Sequence, residues 1–449
     1  MDKRRKQTHH NETGPKSQTS RPGPLVIYLF IQFPKRSQMF LVRELQALST
    51  LGAQVEVHSL WGKSPVDPAE FSLPPGITAY PAPGKKYLVA PIRLLWEVVR
   101  DPSLIRSAWY WLRKGRFNKW QDIVMTLLGT FFACARVKDF RTRNPDLFHG
   151  AWATAPATAA AVLGRLCRKP FSFGAHAYDL YRGGGDALLF PKLEKASFVH
   201  TSTQLAQQEL VKLCPGATSK IILARRGLFY LPDVTPRDSF APGGELRILS
   251  VGRLVPKKGW EIQWQAARLL RQEGVRFHWV IVGTGPLEKT LRAQIRAAQL
   301  DHWVTLAGEL PYSNVEKAYR RSHLFWFTGV TAPDGDRDGF PNVIAEAWAY
   351  ELPVIATRTG AVTEALVHGV NGWLLKEPHP RELAEVTIQL WQDPALRTRL
   401  GKEGRRWVQE HYLVTRNVLP LWKAIQEVTR SYFRPAQGEE LGTRQLLQG

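Results

Sequence analysis

Asp338 and Glu346 stand eight residues apart in the stretch Asp338-Gly339-Phe340-Pro341-Asn342-Val343-Ile344-Ala345-Glu346, which carries the clearest chemical signal in the chain. An apolar, strand-like run from His323 to Gly329 precedes it, and Pro341 followed by good helix formers marks a helix start. A strand, a glycine loop and a helix N-terminus present unpaired amide N–H groups and the positive end of a helix dipole, a setting for a phosphate or a sugar hydroxyl. Gly339 lets such a ligand approach the backbone closely, and the two carboxylates then have hydroxyls to hold. Arg253 and Lys258, in Val251-Gly252-Arg253-Leu254-Val255-Pro256-Lys257-Lys258-Gly259, add a rigid guanidinium fork and a mobile ammonium. That pair suits a diphosphate held in the ground state and stabilised as it leaves, although a solvated basic loop reads the same way. The turn Val282-Gly283-Thr284-Gly285-Pro286 lets a nucleotide pack on backbone, or simply reverses the chain. Asp334 to Gly339 matches the first half of a calcium loop. Ala345, however, stands where that loop needs Glu, Pro341 interrupts it and a strand precedes it, so no metal site is expected.

These loops need a scaffold, and the hydrophobic pattern describes one. Leu25 to Ile31 reads as a buried strand, Met39 to Leu51 as a helix and Gln54 to Leu60 as a second strand. The pattern resumes at Leu147 to Phe148, with a small-residue helix from Ala155 to Leu166 and short strands near Phe171 and Phe198. Leu231 to Gly244 is rich in Pro and Gly and reads as a linker. Beyond it come a strand at Leu246 to Val251, a helix at Gly259 to Gln272, a strand at Phe277 to Val282 and a helix at Leu287 to Ala298. Strands alternating with helices, twice over, predict two doubly wound parallel sheets whose ligands sit at the carboxyl ends of the strands, in a cleft between domains.

Composition narrows the class. The chain has 449 residues, 44% of them apolar, which is enough for two cores. Its formal charge of +22 calls for an anionic partner or surface. Cys134, Cys167 and Cys214 are sparse and lack metal or redox spacing, which fits a reducing cytoplasm. The longest apolar run, Ile123 to Ala135, is of core-helix length and does not predict a span. Residues 1–24 read as a disordered basic arm without the apolar region of a signal peptide.

Taken together, Gly-Arg-Leu-x-Pro-Lys-Lys-Gly, the Val-Gly-x-Gly-Pro turn, Gly335-Asp336-Arg337-Asp338-Gly339-Phe340-Pro341, Glu346-Ala347 and Pro353-Val354-Ile355-Ala356-Thr357 resemble the donor half of glycosyltransferase family 4. Phe33-Pro34-Lys35-x-Ser37, Ala175-His176-Ala177-Tyr178-Asp179 and Thr201-Ser202 resemble the acceptor half of its colanic-acid and exopolysaccharide members. The resemblance implies an α/β GT-B fold, two Rossmann-like domains facing across a cleft. It also implies a nucleotide-sugar donor, transfer of a hexose with retention, and no cofactor or required metal. Arg253 and Lys258 would hold the donor diphosphate, Glu346 the ribose, and Asp338 the sugar or phosphate region. Gly285, Gly339, Phe340, Pro341, Val343 and Ile344 would complete the donor pocket. His176 would face the donor sugar from the first domain, with Lys35, Ser37 and Asp179 on the acceptor side. Domains are expected at 25–230 and 245–406, a helix at 407–433 crossing back to the first, and a tail at 434–449. Four positions depart from the family pattern: Asp338 replaces Glu, Gln38 and Met39 replace Glu-Thr, and Gly174 replaces Thr.

Residues 85–143 carry thirteen Lys or Arg against four acids, with Tyr87, Trp96, Trp109, Tyr110, Trp111 and Trp120 interleaved. Aromatics at headgroup depth and cations toward anionic lipid predict contact with a membrane surface, where a lipid-linked acceptor is reached, while ordinary packing on the first domain is the competing reading. No nucleic-acid module is recognisable, so nucleic acid is not an expected partner. Two functions stay open: a transferase of surface-polysaccharide assembly on the cytoplasmic membrane face, and a non-catalytic relative that binds nucleotide sugar or lipid in an assembly complex.

Overall fold

The structure is a computed structural model that describes residues 23–35, 38–62, 73–234 and 244–433. Residues 1–22 of the expected arm, Ser37, positions 235–243 of the expected linker and the tail from 434 lie outside the described residues.

Seven parallel strands form the first sheet: β1 (Leu25–Phe30), β2 (Gln54–Ser59), β3 (Ile77–Tyr80), β4 (Leu147–Gly150), β5 (Phe171–Gly174), β6 (Phe198–Thr201) and β7 (Ile221–Leu223), in the order β3-β2-β1-β4-β5-β6-β7. Six more form the second: β8 (Leu246–Val251), β9 (Phe277–Val282), β10 (Val304–Gly308), β11 (Leu324–Phe327), β12 (Val354–Ala356) and β13 (Trp373–Leu374), in the order β10-β9-β8-β11-β12-β13. The central strands are near-continuous apolar runs because helices cover both faces of a parallel sheet: Val26 to Phe30 and Leu324 to Phe327 are buried throughout. The strand order reverses beside β1 in one sheet and beside β8 in the other, which opens a crevice at the carboxyl ends of each. The two sheets are the GT-B architecture that the resemblance implies.

The chain crosses between domains twice, side by side. Leu228 N–H donates to the Tyr412 carbonyl at 2.8 Å and Val414 N–H to the Leu228 carbonyl at 2.9 Å. A single helix from Trp407 to Phe433 is corrected here. One helix, Pro394–His411, ends in the second domain, Leu413 is extended where it pairs with Leu228, and a new helix, Leu419–Phe433, starts around Pro420, which has no N–H to continue the previous one. Val414, Val418, Leu421, Ala424 and Ile425 then pack with Val26, Tyr28 and Val55 in the core of the first domain.

The basic, Trp-rich stretch divides into helices Ala90–Arg100, Ser103–Lys114 and Trp120–Arg143. The last enters the core through Phe132, Ala133, Val137 and Phe140, and Trp111 packs against the same core, so part of the stretch is ordinary packing. The outer faces are not: apart from Trp111, which packs only partly buried, the helix Ser103–Lys114 buries no residue, and Ile92, Trp109 and Trp120 are 71%, 67% and 71% exposed.

Candidate active-site cleft

A cleft of about 930 Å³ lies between the domains, lined from the first by Phe40, His176, Tyr178 and Arg226 and from the second by Arg253, Lys258, Asp338 and Glu346, among others. Its second-domain wall is made by the loops after β8, β9, β10 and β11. Gly339 closes the gap between walls: a Cβ there would lie 3.6 Å from the Thr203 methyl and 3.8 Å from Ala177. Gly360 (φ +57°) shapes the same loop, because any Cβ would collide with the Asp338 carbonyl oxygen.

Asp338 is held by two ammonium groups, Lys258 Nζ at 2.7 Å from Oδ2 and Lys257 Nζ at 3.3 Å from Oδ1. Burial would raise its carboxyl, but Lys258 and Lys257 outweigh that and keep it below the usual carboxylate range. Asp336 pairs with Lys257 at 3.0 Å and Asp334 with Arg182 at 3.2 Å, so both acids of the apparent calcium loop serve ion pairs.

Glu346 projects from the helix Asn342–Ala349 and is met from the opposite domain. Arg43 Nη1 and Nη2 donate to its Oε1, both at 3.2 Å, and the Tyr319 hydroxyl donates to Oε2 at 3.2 Å. The Arg43 and Glu346 side chains are only 9% and 14% exposed, so the pair is largely desolvated. Arg43 Nη2 also reaches the Tyr312 hydroxyl at 3.4 Å. Tyr412 fixes the start of the same helix by donating to Asn342 Oδ1 at 2.6 Å.

His176 is buried on the first-domain wall, and neither ring nitrogen has a hydrogen-bond partner. Its ring meets His200 edge-on with centroids 5.5 Å apart, and His200 lies 5.2 Å from His149. Burial first, then Arg226 and the two other imidazoles, push the His176 pKa well down, so it is neutral near pH 7. Gly174 fits this stack, since a Cβ would come within 2.8 Å of His200 Nε2 and 2.9 Å of His176 Nε2. A threonine at that position would crowd both rings, which accounts physically for the departure noted in the sequence.

His176, Arg253, Lys258, Asp338, Gly339, Phe340, Pro341, Val343 and Glu346 therefore meet in one cleft. Four expected members, Asp179, Gly285, Ile344 and Lys35, do not line it. Asp179 accepts from the His176 backbone N–H at 2.9 Å and caps the helix Ala177–Tyr181; burial pushes its pKa up to about 7. Gly285 packs against the Leu254 backbone, where a Cβ would come within 2.5 Å of the carbonyl oxygen, and so serves loop packing. Ile344 is fully buried in the core behind the helix. Lys35 lies near enough to Arg253 that burial and that guanidinium both lower its pKa, which places it beside a second-domain cation. Sequence reasoning passed over Arg43, Tyr319, Lys257 and Arg226. Lys257 adjoins Lys258 in the same motif, but Arg43 lies in an ordinary amphipathic helix and nothing local marks it.

The fold and the cleft define a two-domain GT-B protein with a diphosphate-compatible loop set in its second domain. Residues 233–407 match the model of the family of group 1 glycosyl transferases. The chain is 37% identical over 150 residues to the amylovoran biosynthesis glycosyltransferase AmsK of Erwinia amylovora, covering 33% of this chain and 37% of that protein. It is 36% identical over 172 residues to the putative colanic acid biosynthesis glycosyltransferase WcaL of Escherichia coli K12, covering 38% and 42%. These alignments span about two fifths of the relatives' length. Among solved structures, sucrose-phosphate synthase from Thermosynechococcus elongatus superimposes with a TM-score of 0.66 at 16% identity, over 91% of this chain and 100% of that one. Anabaena HepE, solved with UDP and glucose, gives 0.63 at 16%, over 91% and 98%. Both share the fold.

Proposed function

We propose that the chain is a retaining, metal-independent glycosyltransferase that moves a hexose from a nucleotide sugar to a glycan or lipid-linked glycan in surface polysaccharide assembly. The convergence of lysine-held Asp338, Glu346 and unpartnered His176 in one interdomain cleft carries this reading. Arg253 and Lys258 supply the positive charge that a departing nucleoside diphosphate needs, a role a metal fills elsewhere. Glu346, oriented by Arg43 and Tyr319, accepts from the ribose hydroxyls. The sugar C1–O bond to the diphosphate breaks, the acceptor hydroxyl oxygen bonds to C1, and its proton passes to the leaving phosphate oxygen. His176, neutral and with a depressed pKa, is a weak base near pH 7, and its polar edge faces the positive charge that develops on the sugar ring. The described cleft-lining residues of the first domain include no carboxylate to act as a nucleophile or base, which supports retention.

The acceptor is reached at the inner face of an anionic membrane. Ile92, Trp96, Val99, Ile105, Trp109 and Trp120 are exposed on the helices Ala90–Arg100, Ser103–Lys114 and Trp120–Arg143, within a stretch where bases outnumber acids thirteen to four. Among the described residues no helix is long and apolar enough to cross a membrane.

The test is a panel of nucleotide sugars scored by thermal shift and nucleotide release, with and without EDTA. One donor that stabilises the fold and is turned over despite EDTA supports the proposal. Donor binding without turnover, whatever the acceptor, assigns the chain to the non-catalytic class, and turnover abolished by EDTA removes the metal-independent mechanism.

A further inference from the structure

The two walls of the cleft differ in how their charges are used. On the second-domain wall Lys257 and Lys258 are matched to Asp336 and Asp338. On the first-domain wall stands Arg226, just beyond β7, its carbonyl pinned by Asn417 Nδ2 at 2.8 Å. Its guanidinium stacks over the Phe40 ring at 3.5 Å, which fixes the plane of the fork, and Phe40 lines the cleft too.

Arg226 forms no ion pair among the described residues, and its Nη1 is shut off from solvent without a hydrogen-bond partner. Glu44 acts on it electrostatically but does not close an ion pair. Burial lowers the guanidinium pKa to about 10, which still leaves it charged near neutral pH. Beside it are the two unpartnered nitrogens of His176. A buried guanidinium N–H without an acceptor is costly, and a cleft lined with such groups is built to be completed by a ligand. An acceptor atom that satisfies Nη1 of a fixed, planar cation is best supplied by an oxyanion, for which a guanidinium fork has the right geometry.

We propose that Arg226 binds a phosphate oxyanion of a cleft ligand, on the wall opposite Arg253 and Lys258. The phosphate belongs to one of two molecules, the nucleotide-sugar donor or a prenyl-diphosphate-linked acceptor, and the position of Arg226 on the first-domain wall favours the acceptor.

The experiment measures equilibrium binding of UDP, GDP and farnesyl diphosphate to the full chain, comparing wild type with Arg226→Gln and Arg226→Lys. The expected result is a loss of about tenfold or more in farnesyl diphosphate affinity in Arg226→Gln, partial recovery in Arg226→Lys, and nucleoside diphosphate binding kept within about twofold. A comparable loss for UDP or GDP instead also supports a phosphate-binding Arg226 and assigns it to the donor. Unchanged affinity for all three in a folded Arg226→Gln, or no binding of any of them by wild type, overturns the assignment. If Arg226→Gln does not fold, Arg226→Lys decides, because it keeps the charge and loses the fork, and full affinity there overturns the proposal. The proposal rests on the donor-and-acceptor reading of the cleft, and the two fail separately. Retained UDP or GDP binding with no effect of Arg226 leaves the donor site standing, whereas absent nucleotide binding with an Arg226-dependent farnesyl diphosphate site removes the donor site alone.

Discussion

Glu346 is a carboxylate with two duties, and they can be separated. It is the proposed ribose acceptor, and it neutralises Arg43 of the other domain. Glu346→Gln should lower transfer by about tenfold or more, read as kcat/KM for the donor. The same change strands a largely buried guanidinium and should cost about 3 kcal/mol in urea unfolding. Adding Arg43→Met should restore most of that stability and none of the turnover; recovered turnover in the double variant would show that Glu346 matters only as a partner for Arg43. A second residue-scale consequence concerns pH. His149, His176 and His200 all have pKa values pushed below 6.5 by burial, His200 to about 3, so between roughly pH 4.5 and 6.5 they take up protons only on unfolding. Glu44 and Asp179, raised by burial to about 7, do the reverse, holding protons in the fold that they release on unfolding. His58, also lowered by burial, joins the three histidines, so four groups oppose two and wild-type stability should fall as the pH drops through this window. Glu44→Gln removes one opposing group, so its stability should fall with acidification more steeply than wild type, by about 1.4 kcal/mol per pH unit in that window. Equal slopes would mean that Glu44 is ionised in the fold. At this scale the sequence was legible wherever a side chain sits in a loop with its own signature, as with Asp338 and Lys258. It was silent on Arg43, whose role exists only after two domains meet.

Elements were read well where hydrophobic runs are bounded by turns: Phe277–Val282 has the predicted limits, and Met39–Thr50 ends one residue early. The misreading at Trp407 to Phe433 has a physical cause. Helical periodicity runs through this whole stretch, while the pairing of Leu413 with Leu228, a partner far away in the chain, extends the backbone at Leu413 and breaks the run into Pro394–His411, the short helix Val414–Asn417 and Leu419–Phe433. Gly285 reads ambiguously for a related reason, since close approach to a second loop and close approach to a ligand require the same residue type. Gly360 is the element-scale control on the cleft. Its left-handed backbone and its contact with the Asp338 carbonyl leave no room for a side chain. Gly360→Ala should therefore shift the Asp338–Gly339 loop and weaken donor affinity by roughly tenfold, with a smaller effect on global unfolding than a core substitution. A donor titration of this variant that matches wild type would place the loop outside the binding site.

For the whole molecule, the sign of the net charge pointed toward an anionic partner, and the structure supplies a surface where cations and exposed aromatics coincide. Vesicles with a substantial anionic lipid fraction should sediment the wild-type chain. Ile92→Ser combined with Trp109→Ser should weaken that binding by about tenfold or more, and raised salt should weaken the charge-driven part. If the double variant sediments as wild type does, these exposed residues are not the membrane contact. The sequence could not decide between packing and exposure for this stretch, because an aromatic residue on an amphipathic helix is written alike for both. The return of the chain to its first core has a further consequence. With the helix Leu419–Phe433 packed against β7 and buried in the same core as β1 and β2, the second domain is an insertion within the first, held between two adjacent crossings. During synthesis the second sheet is fully made while the first still lacks part of one covering layer. The opening domain is therefore the last to finish, and a chain cut just after Tyr412 keeps the second domain's described core residues but lacks the helix that completes the first.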